Sequence, residues 1–475
     1  MTGPVLAVDQ GTSGTKALVV CPERGVIGAG FAEVRPRHLP GGLVEVDPEE
    51  LYASVVEAGR RALAEAREPV AALGLANQGE TVLAWDPATG RPLTTALVWQ
   101  DRRAETVCEE LAPYADELRE LTGLPLDPYF AAPKMAWIRC HLTREGVVTT
   151  TDAWLVHRLT GAYVTDAATA SRTQLLDLDR AHWSPRALDL YGLADERLPR
   201  VVGNAQPVGT ATEFGEEIPV TGLAVDQQAA LLAQRVTAPG GAKCTYGTGA
   251  FLLAHTGDTP RRGSSGLVSC VAWNLAGRTS YCLDGQVYTA ASAVRWLTDL
   301  GVIKGAADLD AVGGSVPDSG GVTFVPALAG LAAPWWRGDL RGSLTGLGLD
   351  TTAGHLVRAL CEGIAAQVAE LVDVLESPLE TLRVDGGLTR STLLMQTQAD
   401  LLQRPVEVSA LPDATALGVA ALARLGAEPG LTVATALPDW KPAAVHEPRI
   451  TADEAAARRA RFLGEVTALL DRTPA

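Results

Sequence analysis

The sequence contains no C-x-x-C pair and no H-E-x-x-H, and its seven histidines and seven cysteines form no cluster beyond the single adjacent pair Cys140-His141. These gaps speak against a structural zinc site. The cysteines (Cys21, Cys108, Cys140, Cys244, Cys270, Cys282 and Cys361) are scattered and odd in number. That pattern suits a reducing cytoplasm, with each thiol acting as a small buried hydrophobe. Met1-Thr2-Gly3-Pro4-Val5 has no basic run ahead of the first strand-like segment, so the start does not read as a secretion signal. The longest apolar stretch, Phe324 to Trp336, carries two prolines and is too short to span a bilayer. Positive charge is also short: 40 Lys and Arg face 56 Asp and Glu, a formal net charge of −16. An excess of that size argues against nucleic acid or an anionic membrane as the main partner. What remains is ordinary globular composition, 47% hydrophobic and 20% charged, over 475 residues. That length suggests two large domains or three small ones, each able to bury its own core.

Glycine is plentiful, at 48 residues, and it is concentrated where the pattern changes. Val5-Leu6-Ala7-Val8 is an apolar run, Asp9-Gln10-Gly11-Thr12-Ser13-Gly14-Thr15 turns, and Lys16 to Val20 returns, which predicts a hairpin. A helix is expected from Asp47: Pro48 suits its first turn, Glu49 and Glu50 its positive end, and Leu51, Val55, Ala58 and Leu63 form one stripe. A strand over Val70 to Ala76 ends at Asn77-Gln78-Gly79-Glu80. The same grammar returns halfway along, where Lys243-Cys244-Thr245-Tyr246-Gly247-Thr248-Gly249-Ala250-Phe251 is again strand, Gly/Thr turn, strand. Helices follow at Ala290–Leu300, His355–Leu375 and Leu393–Leu402, with a strand at Thr381–Val384 running into Asp385-Gly386-Gly387. Short strands alternating with amphipathic helices mean an α/β fold. Two similar halves, 1–235 and 236–475, are expected to face each other across a cleft, with no low-complexity linker between them.

The first turn has the chemistry of a phosphate site. Glycines let backbone N–H groups approach an anion, and Thr12, Ser13 and Lys16 add directed donors and a cation. It is no Walker A loop, because the G-x-x-x-x-G-K-[ST] spacing is absent and a strand follows. A carboxylate in the same turn, Asp9, makes sense beside phosphates through a bridging Mg²⁺. A polar Gly-rich hairpin with no ligand is the plain alternative. Asp226, in contrast, sits between two apolar runs, Leu223-Ala224-Val225 and Ala229-Ala230-Leu231-Leu232, where an idle acid is costly.

This turn, together with Asn77-Gln78-Gly79-Glu80-Thr81, Val98-Trp99-Gln100-Asp101-Arg102-Arg103, Asp127-Pro128-Tyr129-Phe130, Asp226-Gln227-Gln228, Tyr246-Gly247-Thr248-Gly249, Ala333-Pro334-Trp335-Trp336 and Asp385-Gly386-Gly387, resembles the FGGY carbohydrate kinases. Within them the resemblance is strongest to the glycerol kinases, and it runs through nearly the whole chain in order. It implies two actin-like (ribonuclease H-like) domains around a nucleotide and substrate cleft, ATP and Mg²⁺ as cofactors, and transfer of a phosphoryl group to a hydroxyl. By resemblance Asp226 is the general base and Asp9 the metal-associated acid. Thr12, Ser13, Lys16, Gly247 and Thr248 fall around the phosphates, and Arg295, Gly386, Gly387 and Ser391 around the nucleoside. Glu80, Trp99, Tyr129, Asp226, Gln227 and Phe251 match glycerol-contacting positions, and a cytoplasmic homodimer or higher homo-oligomer is expected.

The departures bear on the substrate. Glycerol kinases carry Arg where this chain has Gly79, and a glycine where it has Val225. Loss of charge-assisted hydrogen bonds costs ~1.5–3 kcal/mol each, which points away from glycerol itself. The vacated volume would admit a longer polyol or a sugar. Lys16 and Gly79 lean toward a pentulose such as xylulose as the alternative acceptor. A non-catalytic sugar-binding protein is the rival from another class, opposed by the joint presence of Asp9, Lys16, Thr248 and Asp226. The segment Thr210–Pro219 is acidic where some relatives bind a phosphorylated sugar, so no inhibition of that kind is expected.

Overall fold

A computed structural model describes residues 3–262, 266–375 and 378–472. Met1 and Thr2, with which the reading of the start began, lie outside the described residues, as does the final Ala475. The first sheet is built on β1 (Val5–Gly11), β2 (Gly14–Cys21) and β3 (Gly25–Glu33), an antiparallel meander whose first strand is apolar over Val5, Leu6, Ala7 and Val8. Helix α1 (Pro48–Ala66) begins as its residues dictate: the Asp47 side chain accepts from Glu49 N, and Pro48 opens the first turn. It packs on β2 and β3 and returns the chain to β4 (Ala72–Asn77), parallel to β1. After a long excursion containing the short helix α2 (Ala167–Ser171), β5 (Ala205–Ala211) and β6 (Ile218–Val225) complete the sheet in the order β5-β6-β4-β1-β2-β3. Helix α3 (Asp226–Ala233) follows β6 without a break.

The second sheet repeats this plan. Its strands are β7 (Ala242–Tyr246), β8 (Ala250–Gly257), β9 (Val268–Leu275), β10 (Arg278–Val287), β11 (Leu382–Asp385), β12 (Val406–Ser409) and β13 (Pro442–His446). They lie in the order β9-β10-β8-β7-β11-β12-β13. In both sheets the opening strand pairs antiparallel with the second and parallel with a later strand that follows a helix. Helices α4 (Ala291–Asp299), α5 (Ala353–Asp373) and α6 (Thr392–Leu402) cover the second sheet. A small five-stranded sheet, formed by Arg37–Leu39 and Leu43–Val46 from ahead of α1 with Val82–Trp85, Ala96–Leu97 and Val147–Thr150 from the excursion between β4 and β5, carries the loop with Trp99.

One late helix does not stay with its own sheet. Helix α7 (Ala414–Ala427) lies flat on β1, β4 and β6 of the first sheet and crosses α3. Its apolar residues Val419, Ala420, Leu422 and Ala423 share a core with Val5, Ala7, Ala72 and Ala224. The approach is backbone to backbone: a Cβ on Gly74 would lie 2.5 Å from Val419 O, and one on Gly418 only 1.9 Å from Ala229 O. The two halves are therefore pressed together through glycines.

Registers place the chemistry-bearing residues at one edge. Asp9 faces Lys16, Gln10 faces Asn77, and Val225 faces Asn77, so Asp9, Gln78 and Asp226 emerge together from the carboxyl ends of β1, β4 and β6. Of the seven cysteines five are buried as expected, whereas Cys140 is exposed and Cys108 half-buried; all seven are free thiols. Among the described residues no helix is long and apolar enough to cross a membrane.

The α3–α7 crossing yields a stability test. Gly418→Ala should destabilise by ~1–3 kcal/mol, because the new methyl meets backbone and cannot relax locally. Gly464→Ala, in the C-terminal helix α8 (Ala452–Arg472) where a Cβ meets open space, should stabilise by ~0.5–1 kcal/mol. Denaturant unfolding of both variants reads the opposite signs; a neutral Gly418→Ala would mean the halves are not held by this contact.

Candidate active site

The first Gly/Thr turn joins β1 to β2 at the edge just described. Thr12 Oγ1 accepts a hydrogen bond from Trp99 Nε1 at 2.9 Å, and Ser13 is exposed. Asp9 is half-buried beneath the turn. Its carboxyl is pushed up to about 7, first by burial and then by the negative charge of Asp226, with Lys16 pulling it down and Asp413 adding to the rise. Lys16 itself is ion-paired with Asp413 at 2.5 Å, across the seam to the residue just before α7.

Asp226 occupies the first turn of α3, where backbone N–H groups favour a carboxylate. Its Oδ1 accepts from Gln227 N at 2.6 Å. Burial raises its carboxyl above the ordinary aspartate range, opposed first by the charge of Lys243. Lys243 comes from β7 in the other half, is fully buried, and donates to Gln227 Oε1 at 2.5 Å and to Thr245 Oγ1 at 2.9 Å. Three carboxylates and two ammonium groups, drawn from both halves, thus share one polar seam.

Beside it lies an aromatic box. Trp99 meets Tyr129 edge to face at 5.6 Å and Phe251 at 6.4 Å. These three, with Arg102, Tyr288 and Ala329, line a cavity of about 150 Å³. Counted as space for a water's centre, that is roughly ten times what one water needs. Glu80 is buried and bound to Arg172, with a left-handed φ of 58°. Gly79 does not open a void: a Cβ there would stand 3.1 Å from Val225 Cγ2. The isopropyl group of Val225 occupies the place where an arginine at position 79 would begin, so the volume expected from the missing side chain is partly filled.

The second Gly/Thr turn joins β7 to β8. A Cβ on Gly247 would make ordinary contact at 3.9 Å with Gly249 O, which also accepts from Gly247 N at 2.9 Å; Thr248 is exposed, while Gly249 is needed for packing, since a Cβ would lie 2.4 Å from Val287 O. Thr248 O accepts from Ala290 N and Ser292 N, which fastens the turn to the start of α4. The turn after β11 lies alongside: Gly386 has φ 97° and would bring a Cβ to 2.4 Å from Tyr246 O, whereas Gly387 faces open space. Gly386 is thus demanded by β7, and Gly387 is the one free to lie against a ligand. Ser391 is engaged as the cap of α6, its Oγ accepting from Leu394 N at 3.2 Å and donating to Asp310 Oδ1 at 2.5 Å. Arg295 is exposed on α4.

The donor set suits a hard cation. The acids around Asp9 outnumber the nearby lysines, and burial holds the Asp9 carboxyl well above its usual range, a penalty that a divalent ion would relieve. Among the described residues no group of three or more His, Cys, Asp or Glu is placed to hold a metal alone. Asp9 with phosphate oxygens is therefore the set that fits Mg²⁺.

Three buried charges and the half-buried Asp413 escaped the sequence reading. Arg172 binds Glu80; Lys134 donates to the carbonyls of Pro128, Tyr129 and Phe130 at 2.6–2.8 Å and so holds the Tyr129 loop; Lys243 and Asp413 are described above. The signal that singled out Asp226, a lone charge in an apolar run, is also present at Lys243 between Ala242 and Cys244.

Comparison with known proteins agrees with this geometry. The model of the FGGY family of carbohydrate kinases, N-terminal domain, matches residues 4–233, and the C-terminal domain model matches 242–427. A glycerol kinase of Aromatoleum aromaticum is 41% identical over 480 residues, covering 96% of this chain and 97% of that protein. The crystal structure of Plasmodium falciparum glycerol kinase with ADP superposes with a TM-score of 0.90 at 29% identity, over 99% of this chain and 98% of that one. A xylulose kinase from Brucella ovis gives 0.89 at 26%, over 98% and 99%.

The raised Asp9 carboxyl predicts a pH-dependent instability. Its folded value near 7 lies above the unfolded 3.8, so the stability it contributes is complete below pH ~4 and is lost as pH rises to ~7. Asp9→Asn should therefore raise the Tm of the ligand-free protein at pH 8, by on the order of 3 kcal/mol in stability, and leave it unchanged near pH 4. A Tm gain equal at both pH values would refute the assignment.

Proposed function

Because this chain belongs to the FGGY family of carbohydrate kinases, we propose that it transfers the γ-phosphoryl group of ATP to a hydroxyl of a small polyol of glycerol's class, with Asp226 as general base. The observation that carries the assignment of roles is the convergence of Asp9, Asp226 and the two Gly/Thr turns at one seam, next to the aromatic box. The N-terminal half, 1–235, supplies the first phosphate turn, the base and most of the polyol pocket. The C-terminal half, 236–475, supplies the second turn, the nucleoside site and Phe251.

Each residue has a task that its chemistry can perform. Trp99, Tyr129 and Phe251 cover the carbon face of the polyol, and Glu80 accepts from its hydroxyls. Asp226 accepts the proton of the attacking oxygen; burial makes it a stronger base than a surface aspartate, and Gln227 and Lys243 fix its direction. Lys16 releases Asp413 and turns to the transferring phosphoryl group, while Thr12, Ser13 and Thr248 offer hydroxyl donors to the phosphate chain and Gly247, its N–H closed onto Gly249 O, lets that chain approach the turn. Gly387 lies under the nucleoside, with Gly386 shaping the turn. Mg²⁺, held by Asp9 and phosphate oxygens, would supply charge neutralisation on the phosphates. Closure of the halves excludes water that would otherwise hydrolyse ATP.

A pentulose such as xylulose is the second reading. Lys16 and Gly79 favour it. Val225, 3.1 Å from where a Cβ on Gly79 would stand, favours the polyol.

An ADP-release assay across glycerol, erythritol, pentitols, xylulose and ribulose separates the readings. Linear polyols should stimulate turnover most; release stimulated only by ketoses, or by nothing, would overturn the proposal. With the preferred acceptor, Asp226→Asn should lower kcat by ~10²–10⁴ and leave ATP binding intact, measured by calorimetry. An unaltered kcat would remove Asp226 from the mechanism.

A further inference from the structure

Arg172 follows α2 and is 3% exposed, yet no part of the phosphate machinery touches it. Its guanidinium is gripped between carboxylates of the two halves. Nε donates to Glu80 Oε1 at 2.6 Å, and Nη1 to Asp284 Oδ2 at 2.6 Å on β10. Nη2 faces Tyr129 Oη at 3.5 Å, and the group lies over the Tyr129 and Phe130 rings at 5.7 and 5.5 Å. Gln286 Nε2 also donates to Asp284 Oδ2, at 3.1 Å. Glu80 meanwhile holds a left-handed backbone, φ 58°, a strained choice for a residue with a Cβ. A buried carboxylate in a strained position keeps one direction and one protonation state only if something fixes both. Here the fork of Arg172 is the closest cation.

We propose that Arg172 is a positioning residue for the acceptor substrate: it holds Glu80 ionised and fixed in direction beside Tyr129, a wall of the aromatic cavity, and through Asp284 it makes that arrangement depend on the packing of the second sheet. The proposal rests on the reading of the aromatic cavity as the polyol site. An ionised Glu80 is a pure acceptor and selects hydroxyl donors; a protonated one would lose that selectivity. The charged and titratable groups facing Glu80 are Arg172, Lys134, Tyr129 and Asp226, with Asp284 beyond Arg172. Burial raises the Glu80 carboxyl, Arg172 is the first influence to lower it, Lys134 helps, and Asp226 opposes. With Arg172 gone, Glu80 would keep its proton to higher pH.

The test is kcat/KM for the polyol against pH, with KM for ATP measured alongside, in wild type, R172K, R172M and the double variant R172M/E80Q. R172M should raise the polyol KM by ~10–100-fold, leave the ATP KM within about twofold, and move the acid limb of the profile upward by about a unit. R172K, which keeps the charge but not the fork, should recover the position of the limb and only part of the KM. The double variant, having no carboxyl at position 80, should lack the shift. If R172M does not fold, R172K and the double variant, which leaves no unpaired charge at position 80, decide the matter. A wild-type polyol KM and an unmoved acid limb in R172M, or an upward shift that persists in the double variant, would overturn the positioning role. Wild-type enzyme inert toward every polyol would instead remove the pocket reading, and this proposal with it.

Discussion

Backbone-to-backbone contact between α7 and the first sheet sets the position of everything that does chemistry. The α3–α7 crossing at Gly418 and Ala229, and the seat of Val419 on Gly74, leave no room for a single methyl group. Such contact fixes relative position far more tightly than interdigitated side chains, which can repack. Asp413, one residue before α7, is thereby delivered to Lys16, and α3, which starts with Asp226, is clamped from both sides. The chain has used a helix from its second half to complete the core of its first. The halves can then move relative to each other only by bending around this shared element, because pulling it away would expose a core that includes Val5, Ala7 and Ala224.

Charge is distributed to match that constraint. The seam holds the half-buried Asp9 and Asp226 with the buried Lys243 and, beside them, the buried Glu80–Arg172–Asp284 triad; Lys243 joins β7 to Gln227 of α3, and Arg172 joins Glu80 to Asp284 of β10. Buried ion pairs add little net stability, since desolvation offsets attraction, but they penalise any arrangement that separates the partners. Arg172 and Lys243 both span the two halves, so misplacement of one sheet against the other would strand charge in an apolar core. Lys16 differs in being part-exposed, 44% on its side chain, and its bond to Asp413 can be exchanged for another anion at small cost. The rigid pairs define the geometry and the exposed one is free to change partner.

How much of this was legible in the sequence follows from how local each signal is. Hairpins at Gly11–Gly14 and Tyr246–Ala250, the α1 start at Asp47 and the strand into Asp385 are governed by neighbours in sequence, and they stand where the pattern puts them. The two-sheet α/β architecture followed from the repetition of that local grammar. Arg172 and Asp413 carried no such signal, because what makes them important is a partner 112 and 397 residues away, and Lys134 carried none because the carbonyls it binds, 4 to 6 residues back, are backbone groups that no residue type marks. Gly386 and Ser391 show the converse: residues that resemblance links to a nucleotide are occupied by the fold itself, one by the close passage of β7, the other by the cap of α6. Gly79 was legible as a departure, but its consequence was not, since Val225 enters the same space from a different strand.

The net charge of −16 first counted against anionic partners, and the seam shows why it does not prevent a highly anionic nucleotide from binding. Screening in ~0.15 M salt confines the field of surface carboxylates to about 8 Å. Inside the cleft the relevant field is that of the turns, where Gly387 leaves its backbone open and the Lys16 cation is part-exposed. The acids that do lie close, Asp9, Asp226 and Asp413, are the ones whose repulsion is relieved when a cation enters with the phosphates. Nucleotide and divalent ion are therefore favoured jointly over either alone: the phosphates without the cation would meet three carboxylates, and the cation without the phosphates would find Asp9 and no complete shell of ligands.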